Sequence, residues 1–451
     1  MRRIRDWRPA GVAAVLLSLT ATLVSGATAA EPRARQEPAA APALRAAAPP
    51  AAAPSTAAAP AAAVAKPVIN GPVFNDPLGS AAQRGAVFTQ LIALIDATPA
   101  GQTIRGSMFE LEDSAVADAL IAAQRRGVAV RLIVDDNTRD KGSAAWTSLR
   151  GALGTDDTKA SWIVVCDDRF EDPGKDNVQR GCLPVPPPGP AYNHNKFFVF
   201  TRVGPFDDGS GYDKVVFQSS SNLNDWYKNE SYNDAVTFAD ATVHDGYAKF
   251  HEDQRRLRHS AAGDSTYYWS TPTGSPYRAF FFPRGDANYG NPASDTIVNA
   301  LDEVACAYTG TDGKRHQTDI RVAMFQFLGS RKQVAQKLAQ KRAQGCWVDV
   351  VYSEGDATVE GILDAAGIQR QFCNFPNGPG IDVRTHTKFW LLDGDYNGGI
   401  TPRVYTGSHN WTGSGLRSAD EAMVRITSAD YHAKYLSYFY KIRDTCKART
   451  P

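Results

Sequence analysis

Strand-like and helix-like patterns of apolar residues occur twice, in the same order, along the body of this chain. Residues 103–111 (TIRGSMFEL) and 319–327 (DIRVAMFQF) are rich in β-branched and aromatic side chains, which is typical of strands. Apolar residues at helical spacing follow each one, over 115–127 and 333–345. Both of these stretches end at a glycine, where helices often end. The pattern predicts a strand followed by a helix in each copy.

A second strand-like run follows directly after the glycine in both copies. A strand, a helix and a strand in succession usually give two parallel strands joined by a right-handed crossover. Each copy is predicted to close with a further helix, over 242–257 in the first and 431–447 in the second. We therefore predict an α/β fold made of one repeated unit, with copies at 72–270 and 275–451.

The two copies also share a series of polar residues. Each holds a histidine and a lysine two positions apart in a strand-like run, and strand alternation predicts that both side chains share one face. A Ser-x-Asn sequence follows and, further on, an acid precedes an apolar strand. These residues are His194, Lys196, Ser220, Asn222 and Asp234 in the first copy, and His386, Lys388, Ser408, Asn410 and Glu421 in the second. A single His-x-Lys is usually a surface feature, but its repetition in this order predicts a functional site.

This set of residues suits substitution at phosphorus. One imidazole can attack as the nucleophile while the other protonates the leaving alcohol. Lysines supply positive charge to a phosphodiester and its transition state, and serine hydroxyls and asparagine amides can donate hydrogen bonds to its oxygens. Asp234 and Glu421 are the candidates for bonding the distal imidazole nitrogen, which fixes the tautomer. Because the lysines supply the charge, we expect no metal and no cofactor.

The motifs resemble those of the phospholipase D superfamily, which are His-x-Lys-x4-Asp followed by Gly-Ser-x-Asn. The second copy matches in full, with Asp393 and Gly407 at the remaining positions, whereas the first has Thr201 for the aspartate and Ser219 for the glycine. The resemblance covers about residues 72–451. It implies two α/β sandwich halves that face each other across a pseudo-twofold axis, with one shared active site.

The same resemblance implies roles for the two histidines. It implies a covalent phosphohistidine intermediate that water or another alcohol resolves. The N-terminal histidine is generally the nucleophile in two-copy members, so the nucleophile is expected at His194 and the acid and base at His386. The motif aspartate is mainly structural in the family, so Thr201 does not by itself imply an inactive protein.

The N-terminus has the pattern of an export signal. Four arginines among the first eight residues precede an apolar run over 11–24, and small residues follow at 27–29. The run is short for a membrane span, so a signal peptide at 1–29 is favoured over a membrane anchor. Residues 30–71 are mostly Ala and Pro and predict a flexible linker or pro-segment.

Six cysteines in a chain predicted to be exported favour three disulfides over free buried thiols. Cys166–Cys182 is the preferred pair because it closes one loop beside a proline-rich stretch. The other pairings stay open. No Cys-x-x-Cys sequence occurs, which disfavours a zinc site.

Aromatic residues are frequent near the motifs. Trp226, Tyr227 and Trp411 are candidates for the mouth of a site, where they could contact a choline headgroup or a lipid surface. Packing in the core or anchoring of loops is the simpler interpretation of all three. Glu110 and Gln326 occupy matching positions near the predicted ends of strands, where α/β sites commonly collect.

The charge of the chain bears on its substrate. Eight of the 49 Lys and Arg and three of the 48 Asp and Glu lie in the first 66 residues, so the formal charge of +1 becomes about −4 for the rest. Nucleic-acid binders usually have a clear basic excess, so we expect no stable nucleic-acid binding.

The leading hypothesis is a secreted phospholipase D-type phosphodiesterase, a monomer that contacts membrane surfaces transiently. It is expected to hydrolyse glycerophospholipids to phosphatidic acid and a headgroup alcohol, and alcohol transfer can accompany hydrolysis. A secreted nuclease of the same superfamily is the first alternative, because its motifs would be the same. The second is a non-catalytic binding protein, for which the imperfect first motif is the only support.

Overall fold

The computed structural model describes residues 66–166, 181–183, 191–260, 263–285, 291 and 294–449. The predicted signal peptide at 1–29 and residues 30–65 of the predicted linker lie outside the described residues. The first strand begins at residue 71, the last position assigned to the linker. Within the described part, no helix has the length and apolarity needed to cross a membrane.

The first copy forms a seven-stranded sheet with helices packed on it. The strands of this copy are β1 (Gly71–Phe74), β2 (Thr103–Met108), β3 (Ala129–Val134), β4 (Trp162–Val165), β5 (Lys196–Val203), β6 (Tyr212–Ser219), β7 (Ser231–Tyr232) and β8 (Asp234–Ala239). All of them except β7 belong to the seven-stranded sheet. Its helices are α1 (Ala81–Arg84), α2 (Ala86–Asp96), α3 (Ser114–Arg125), α4 (Asp136–Asp140), α5 (Ala144–Leu153), α6 (Asp225–Asn229) and α7 (Ala241–Leu257).

The second copy forms an eight-stranded sheet and three small additions. Its strands are β9 (Trp269–Ser270), β10 (Tyr277–Phe281), β11 (Val304–Ala305), β12 (Ala307–Thr309), β13 (Arg315–Gln317), β14 (Asp319–Phe327), β15 (Trp347–Gly355), β16 (Gln369–Phe372), β17 (Asn374–Pro376), β18 (Asp382–Thr385), β19 (Lys388–Asp393), β20 (Asp395–Tyr396), β21 (Arg403–Gly407) and β22 (Ala422–Thr427). Its helices are α8 (Thr296–Asp302), α9 (Lys332–Ala343), α10 (Ala357–Ala365) and α11 (Ala429–Arg449), with a 3-10 turn at Gly329–Arg331 and a π-helical turn at Ser414–Ser418.

The two large sheets have the same strand order. The first runs β1-β8-β6-β5-β2-β3-β4, and the second, read from the same edge, runs β9-β10-β22-β21-β19-β14-β15-β16. The pairs β2–β3 and β14–β15 are parallel, which confirms the predicted crossovers. The next pairs, β2–β5 and β14–β19, are antiparallel. The α/β fold built as one repeated unit is therefore confirmed.

The crossover helices begin and end as their sequences predict. The Asp113 carboxylate accepts a hydrogen bond from the Val116 backbone N–H and caps the start of α3. Gly127 follows α3 with φ 92° and Gly345 follows α9 with φ 99°, a left-handed conformation that costs glycine little. The chain can therefore turn at once into β3 and β15.

Apolar side chains form three layers of core. Helices α2, α3 and α5 pack on the outer face of the first sheet, and α8, α9 and α10 pack on the outer face of the second. A third cluster lies between the sheets and contains Val199 and Leu391 from the sheets, Tyr247 from α7 and Phe439 from α11. Because the closing helices of both copies share this central core, the two halves are one packed body.

A small three-stranded sheet also joins the halves. Strand β7 of the first copy runs parallel to β18 of the second, which in turn pairs with β17. This pairing fixes Tyr232 opposite Thr385, directly before the second histidine motif.

All six cysteines lie in the described part and form disulfides. The predicted Cys166–Cys182 pair is confirmed. The other two pairs are Cys306–Cys346, which closes onto the start of β15, and Cys373–Cys446, which ties β17 to α11.

One short strand lies at the predicted boundary between the copies. Strand β9 falls inside the range predicted for the first copy, 72–270, and it pairs with β10 to extend the second sheet. The second sheet therefore begins a few residues before the predicted start at 275. The reason is local, since the chain turns back on itself after Ser270 to form a hairpin.

Candidate active site

The two His-x-Lys motifs lie at equivalent places in the two sheets. Lys196 is the first residue of β5 and Lys388 the first residue of β19, opposite Met108 and Met324 respectively. Each histidine precedes its strand by two residues rather than lying inside it as predicted. The histidines therefore lie outside the strand pairing of β5 and β19, and other contacts hold them.

Each histidine backbone is bound to the opposite half of the molecule. The His194 N–H donates to the Asp420 carbonyl oxygen over 3.0 Å, and the His386 N–H donates to the Tyr232 carbonyl oxygen over 2.9 Å. The two bonds are equivalent under the repeat. They bring both motifs to the junction between the halves.

The imidazoles have different partners. Nδ1 of His194 lies 2.8 Å from Oε1 of Glu421, a carboxylate from the second half. Nδ1 of His386 lies 3.0 Å from Oδ1 of Asn233, a carboxamide from the first half. The contact leaves Nε2 of His194 as its available ring nitrogen, whereas Nε2 of His386 lies 3.0 Å from Lys388 Nζ.

The prediction that Asp234 contacts an imidazole is wrong. Asp234 is fully buried, and its Oδ2 instead accepts hydrogen bonds from Thr406 and, over 2.8 Å, from Tyr435. The ladder register explains the difference: Ser219 pairs with residue 235, while Gly407 pairs with residue 423. Asn233 is therefore the equivalent of Glu421.

A signal for Asn233 was present in the sequence. Asn233 follows Asn222 by 11 residues, and Glu421 follows Asn410 by 11 residues. Searching for an acid in both copies selects the neighbouring position instead.

Both lysines are buried next to their histidines. Lys196 Nζ donates to the His194 carbonyl oxygen over 2.8 Å, and Lys388 Nζ donates to the His386 carbonyl oxygen over 2.5 Å. Burial lowers the pKa of Lys196 to about 8. Burial also lowers the pKa of Lys388 well below its usual range, and the charge of Lys196 adds to the effect.

Burial also dominates the titration of the other groups. It lowers the pKa of both His194 and His386, and the two nearby lysine charges act in the same direction. It raises the pKa of Glu421 to about 7. Each imidazolium is therefore costly here, and a negative charge close to the rings would reduce that cost.

The predicted substrate-binding residues divide into two groups. Asn410 lines the cavity, and its Nδ2 donates to Oε1 of Gln326 over 3.0 Å. Ser220 donates to Asn233 Oδ1 over 3.2 Å, and Ser408 donates to the carbonyl oxygen of residue 422 over 3.3 Å. Ser220, Ser408 and Asn222 are buried and are not among the residues that line the cavity. The first effect expected of Ser220 and Ser408 is therefore on the segments that hold the imidazoles.

The two departures from the family motif are accommodated locally. Thr201 lies five residues along β5 from Lys196, and its Oγ1 accepts from the Thr103 N–H over 2.9 Å. Ser219 bonds the carbonyl oxygen of Asp234 over 2.8 Å. The matching Gly407 has no room for a side chain, because a Cβ there would lie 2.2 Å from a backbone oxygen.

Both imidazoles open into one cavity of about 710 Å³. Phe109 lies 5.0 Å from the His194 ring and Phe325 lies 4.6 Å from the His386 ring, centroid to centroid. Tyr227 also lines the cavity, 4.8 Å from His386, whereas Trp411 is fully buried in the core. Among the described lining residues there is no arginine and no lysine.

The sequence profile of the family described as "cardiolipin synthase, PLD-like domain" matches residues 91–254 and again residues 314–443. The two matches fall one on each copy. The chain therefore belongs to the phospholipase D superfamily, whose members generally process phosphodiesters. A comparison with curated protein sequences finds no match.

Solved structures that match this chain come from several kinds of protein. Phosphatidylserine synthase from Haemophilus influenzae has 13% identity and a TM-score of 0.52, covering 82% of this chain and 86% of that one. Polyphosphate kinase from Porphyromonas gingivalis has 14% identity and a TM-score of 0.47, covering 82% and 49%. This chain thus spans about half the length of that kinase. Yeast tyrosyl-DNA phosphodiesterase has 10% identity and a TM-score of 0.42, covering 79% and 89%.

Proposed function

We propose that the protein is a secreted phospholipase D-type phosphodiesterase that hydrolyses glycerophospholipids to phosphatidic acid and a free headgroup alcohol. The observation that carries the proposal is the pair of imidazoles in one cavity, each held through Nδ1 by a residue of the opposite half. A nucleophile and a separate proton donor are what substitution at a phosphodiester requires.

In the first step, Nε2 of His194 attacks phosphorus and the bond from phosphorus to the headgroup oxygen breaks. His386 gives its proton to that oxygen, and the phosphatidyl group stays on His194. In the second step, water loses a proton to His386 and attacks phosphorus, and the phosphorus–nitrogen bond breaks. Another alcohol in place of water would give transfer of the phosphatidyl group.

The neighbouring groups stabilise the charges in this sequence. Lys196 and Lys388 place positive charge next to the phosphoryl oxygens that become more negative. Glu421 holds the Nδ1 proton of His194 and stabilises the imidazolium form.

The cavity supports a lipid substrate over a nucleic acid. Proteins that bind nucleic-acid strands neutralise several phosphates with lysine and arginine. The described lining of this cavity supplies neither, and the chain beyond the first 66 residues carries a net charge of about −4. A single diester with apolar chains requires only the two buried lysines.

Three disulfides support the secreted location, because disulfides persist in oxidising compartments. We expect a monomer that touches the lipid surface during turnover.

A substrate panel tests the proposed function. The protein and its His194→Ala variant are incubated with phosphatidylcholine vesicles and, separately, with single-stranded DNA, and choline and nucleotide products are measured. Choline release that depends on His194 is expected. DNA cleavage that depends on His194, with no choline release, would instead establish the nuclease alternative. Turnover of neither substrate would favour a binding protein.

A further inference from the structure

A second cavity lies on the outer side of the second sheet, separate from the active site. It measures about 390 Å³, and no described residue lines both cavities. Strand β22 connects them: Glu421, just before the strand, lines the first cavity and Arg425 lines the second. Four residues of strand separate the two positions by about 13 Å.

Arginines collect at this second cavity. Arg278 of β10 and Arg425 of β22 are directly opposed across the sheet, and Arg284 comes from the segment after β10. Like charges directly opposite each other in a sheet are destabilising. None of the three has an ion pair with a carboxylate among the described residues. Among the described lining residues the single acid is Glu303, which is exposed, so this lining carries a net positive charge.

Aromatic rings hold these guanidinium groups in place. The Arg284 guanidinium lies 4.2 Å from the ring of Tyr268, and that of Arg278 lies 5.1 Å from the ring of Phe280. Arg425 lies 5.9 Å from the ring of Tyr396, and its buried Nε has no hydrogen-bond partner. Arg278 also donates to Ser270 Oγ over 2.8 Å and Arg284 to Thr296 Oγ1 over 2.9 Å. These two groups are therefore held in position before any anion arrives, which reduces the entropy lost on binding.

We propose that this cavity is a binding site for a phosphate monoester. A phosphate monoester carries a charge of about −1.5 to −2 near neutral pH, which matches three arginines and one exposed glutamate. Guanidinium groups bind phosphate oxygens through paired N–H donors. The partly exposed ring of Tyr268 supplies apolar surface for the esterified group. The site is independent of the reaction proposed for the two histidines.

Inorganic phosphate is the first probe, with thermal unfolding and calorimetry as readouts. The variant carries Arg284→Gln and Arg425→Gln, and Arg202→Gln is the control because Arg202 pairs with Asp213 on an exposed part of the first sheet. Any phosphate binding at the histidines is common to all three proteins and cancels in the comparison.

The unfolding temperature of the double variant is compared with that of the wild type, first without phosphate and then with it. Without phosphate, the double variant should unfold at the same or a higher temperature than the wild type, because the opposed charges are gone. With phosphate, the wild type and Arg202→Gln should be stabilised more than the double variant, whose affinity at this cavity should fall about tenfold or more. An equal response of the wild type and the double variant would overturn the proposal.

A milder replacement covers the case in which the double variant fails to fold. Arg425→Lys keeps the charge but loses the paired donors, so phosphate affinity should fall several-fold. Unchanged affinity in this variant would equally overturn the proposal.

Vesicle binding then distinguishes a lipid headgroup from a soluble phosphate. Sedimentation with phosphatidylcholine vesicles, with and without phosphatidic acid, is measured on a His194→Ala background to prevent turnover. If the two glutamine replacements abolish the added binding due to phosphatidic acid, the ligand is a lipid headgroup. If they leave it unchanged but abolish the response to phosphate, the ligand is a soluble monoester.

Discussion

The two halves of this protein arrange the same backbone frame around their histidines but give the two imidazoles different partners. Strand order, lysine position and backbone docking onto the opposite half are all repeated. The partner of Nδ1 is not repeated, because His194 meets the carboxylate of Glu421 and His386 meets the carboxamide of Asn233.

This difference separates the chemistry of the two imidazoles. Both partners present an oxygen acceptor to Nδ1, which favours a proton on that nitrogen. A carboxylate also stabilises the imidazolium, whereas a neutral amide does so much less. A histidine that bears a phosphoryl group on one nitrogen carries a positive charge, so the carboxylate belongs with the nucleophile. The comparison therefore supports His194 as nucleophile and His386 as acid and base.

The largest expected effect is the loss of the proton donor. His386→Ala should slow the hydrolysis of phosphatidylcholine by about 10³–10⁴-fold, the upper range for general acid–base catalysis. In a p-nitrophenyl phosphodiester, the p-nitrophenolate leaves as an anion and needs no proton. Phosphoenzyme formation from this substrate should therefore be slowed far less. Rapid-quench measurement of p-nitrophenol release checks this, and an equal loss with both substrates would argue against a proton donor at His386.

The next effect concerns the carboxylate. Glu421→Gln should slow turnover by about 10²-fold, because the charged partner of the imidazolium is gone. Since burial raises the pKa of Glu421 to about 7, wild-type activity should fall as the pH drops below 7. The variant should lack this acid limb in its pH–rate profile.

The raised pKa of Glu421 also predicts how the free energy of unfolding depends on pH. The pKa of Glu421 is higher in the folded chain than the roughly 4.3 of an unfolded one, so its stabilisation is complete below about pH 4 and is lost as the pH rises through 7. Glu421→Gln has no proton to lose. Its free energy of unfolding, relative to the wild type, should rise from pH 5 to pH 8 in denaturant titrations.

Asp234→Asn is the matched control for Glu421→Gln. Asp234 touches no imidazole, so the pH–rate profile should keep its shape, while the broken contacts to Thr406 and Tyr435 lower stability. A lost acid limb in this variant would restore the role first assigned to Asp234.

Replacing the Asn233 amide with a carboxylate gives His386 the same kind of partner that His194 has. Asn233→Asp places a carboxylate beside His386 and should raise the pKa of that imidazole. If His386 must be protonated to act as the acid, the alkaline limb of the pH–rate profile should move up by about one pH unit. An unchanged alkaline limb would show that another group sets it.

The smallest effect on activity is expected from the Cys166–Cys182 disulfide. The Cys182 N–H donates to Asp420 over 2.8 Å, and Asp420 precedes Glu421. Replacing both cysteines with serine should lower activity several-fold and the free energy of unfolding by about 3 kcal/mol. The same replacement at Cys306 and Cys346 is the control, which should lower stability without changing activity.

Much of the fold could be predicted from the sequence because its causes are local. The strand–helix–strand units follow from apolar spacing, and Gly127 and Gly345 mark the helix ends. The preferred disulfide, Cys166–Cys182, closes a separation of only 16 residues.

The contacts around the imidazoles could not be predicted in the same way. The contact between His194 and Glu421 spans 227 residues, and only the packing of the halves brings these side chains together. Asn233 was missed because the chemistry suggested two acids, while the ladder register selects the residue before Asp234.

The most direct test of the account is to identify the histidine that carries the phosphoryl group. The wild type and the His386→Ala and His194→Ala variants are each mixed with a p-nitrophenyl phosphodiester, quenched at alkaline pH and digested, and the modified peptides are sequenced by mass spectrometry. If His194 is the nucleophile, a phosphoryl adduct should form on His194, accumulate in His386→Ala and be absent from His194→Ala. An adduct on His386 in the wild type would contradict it and reverse the two roles.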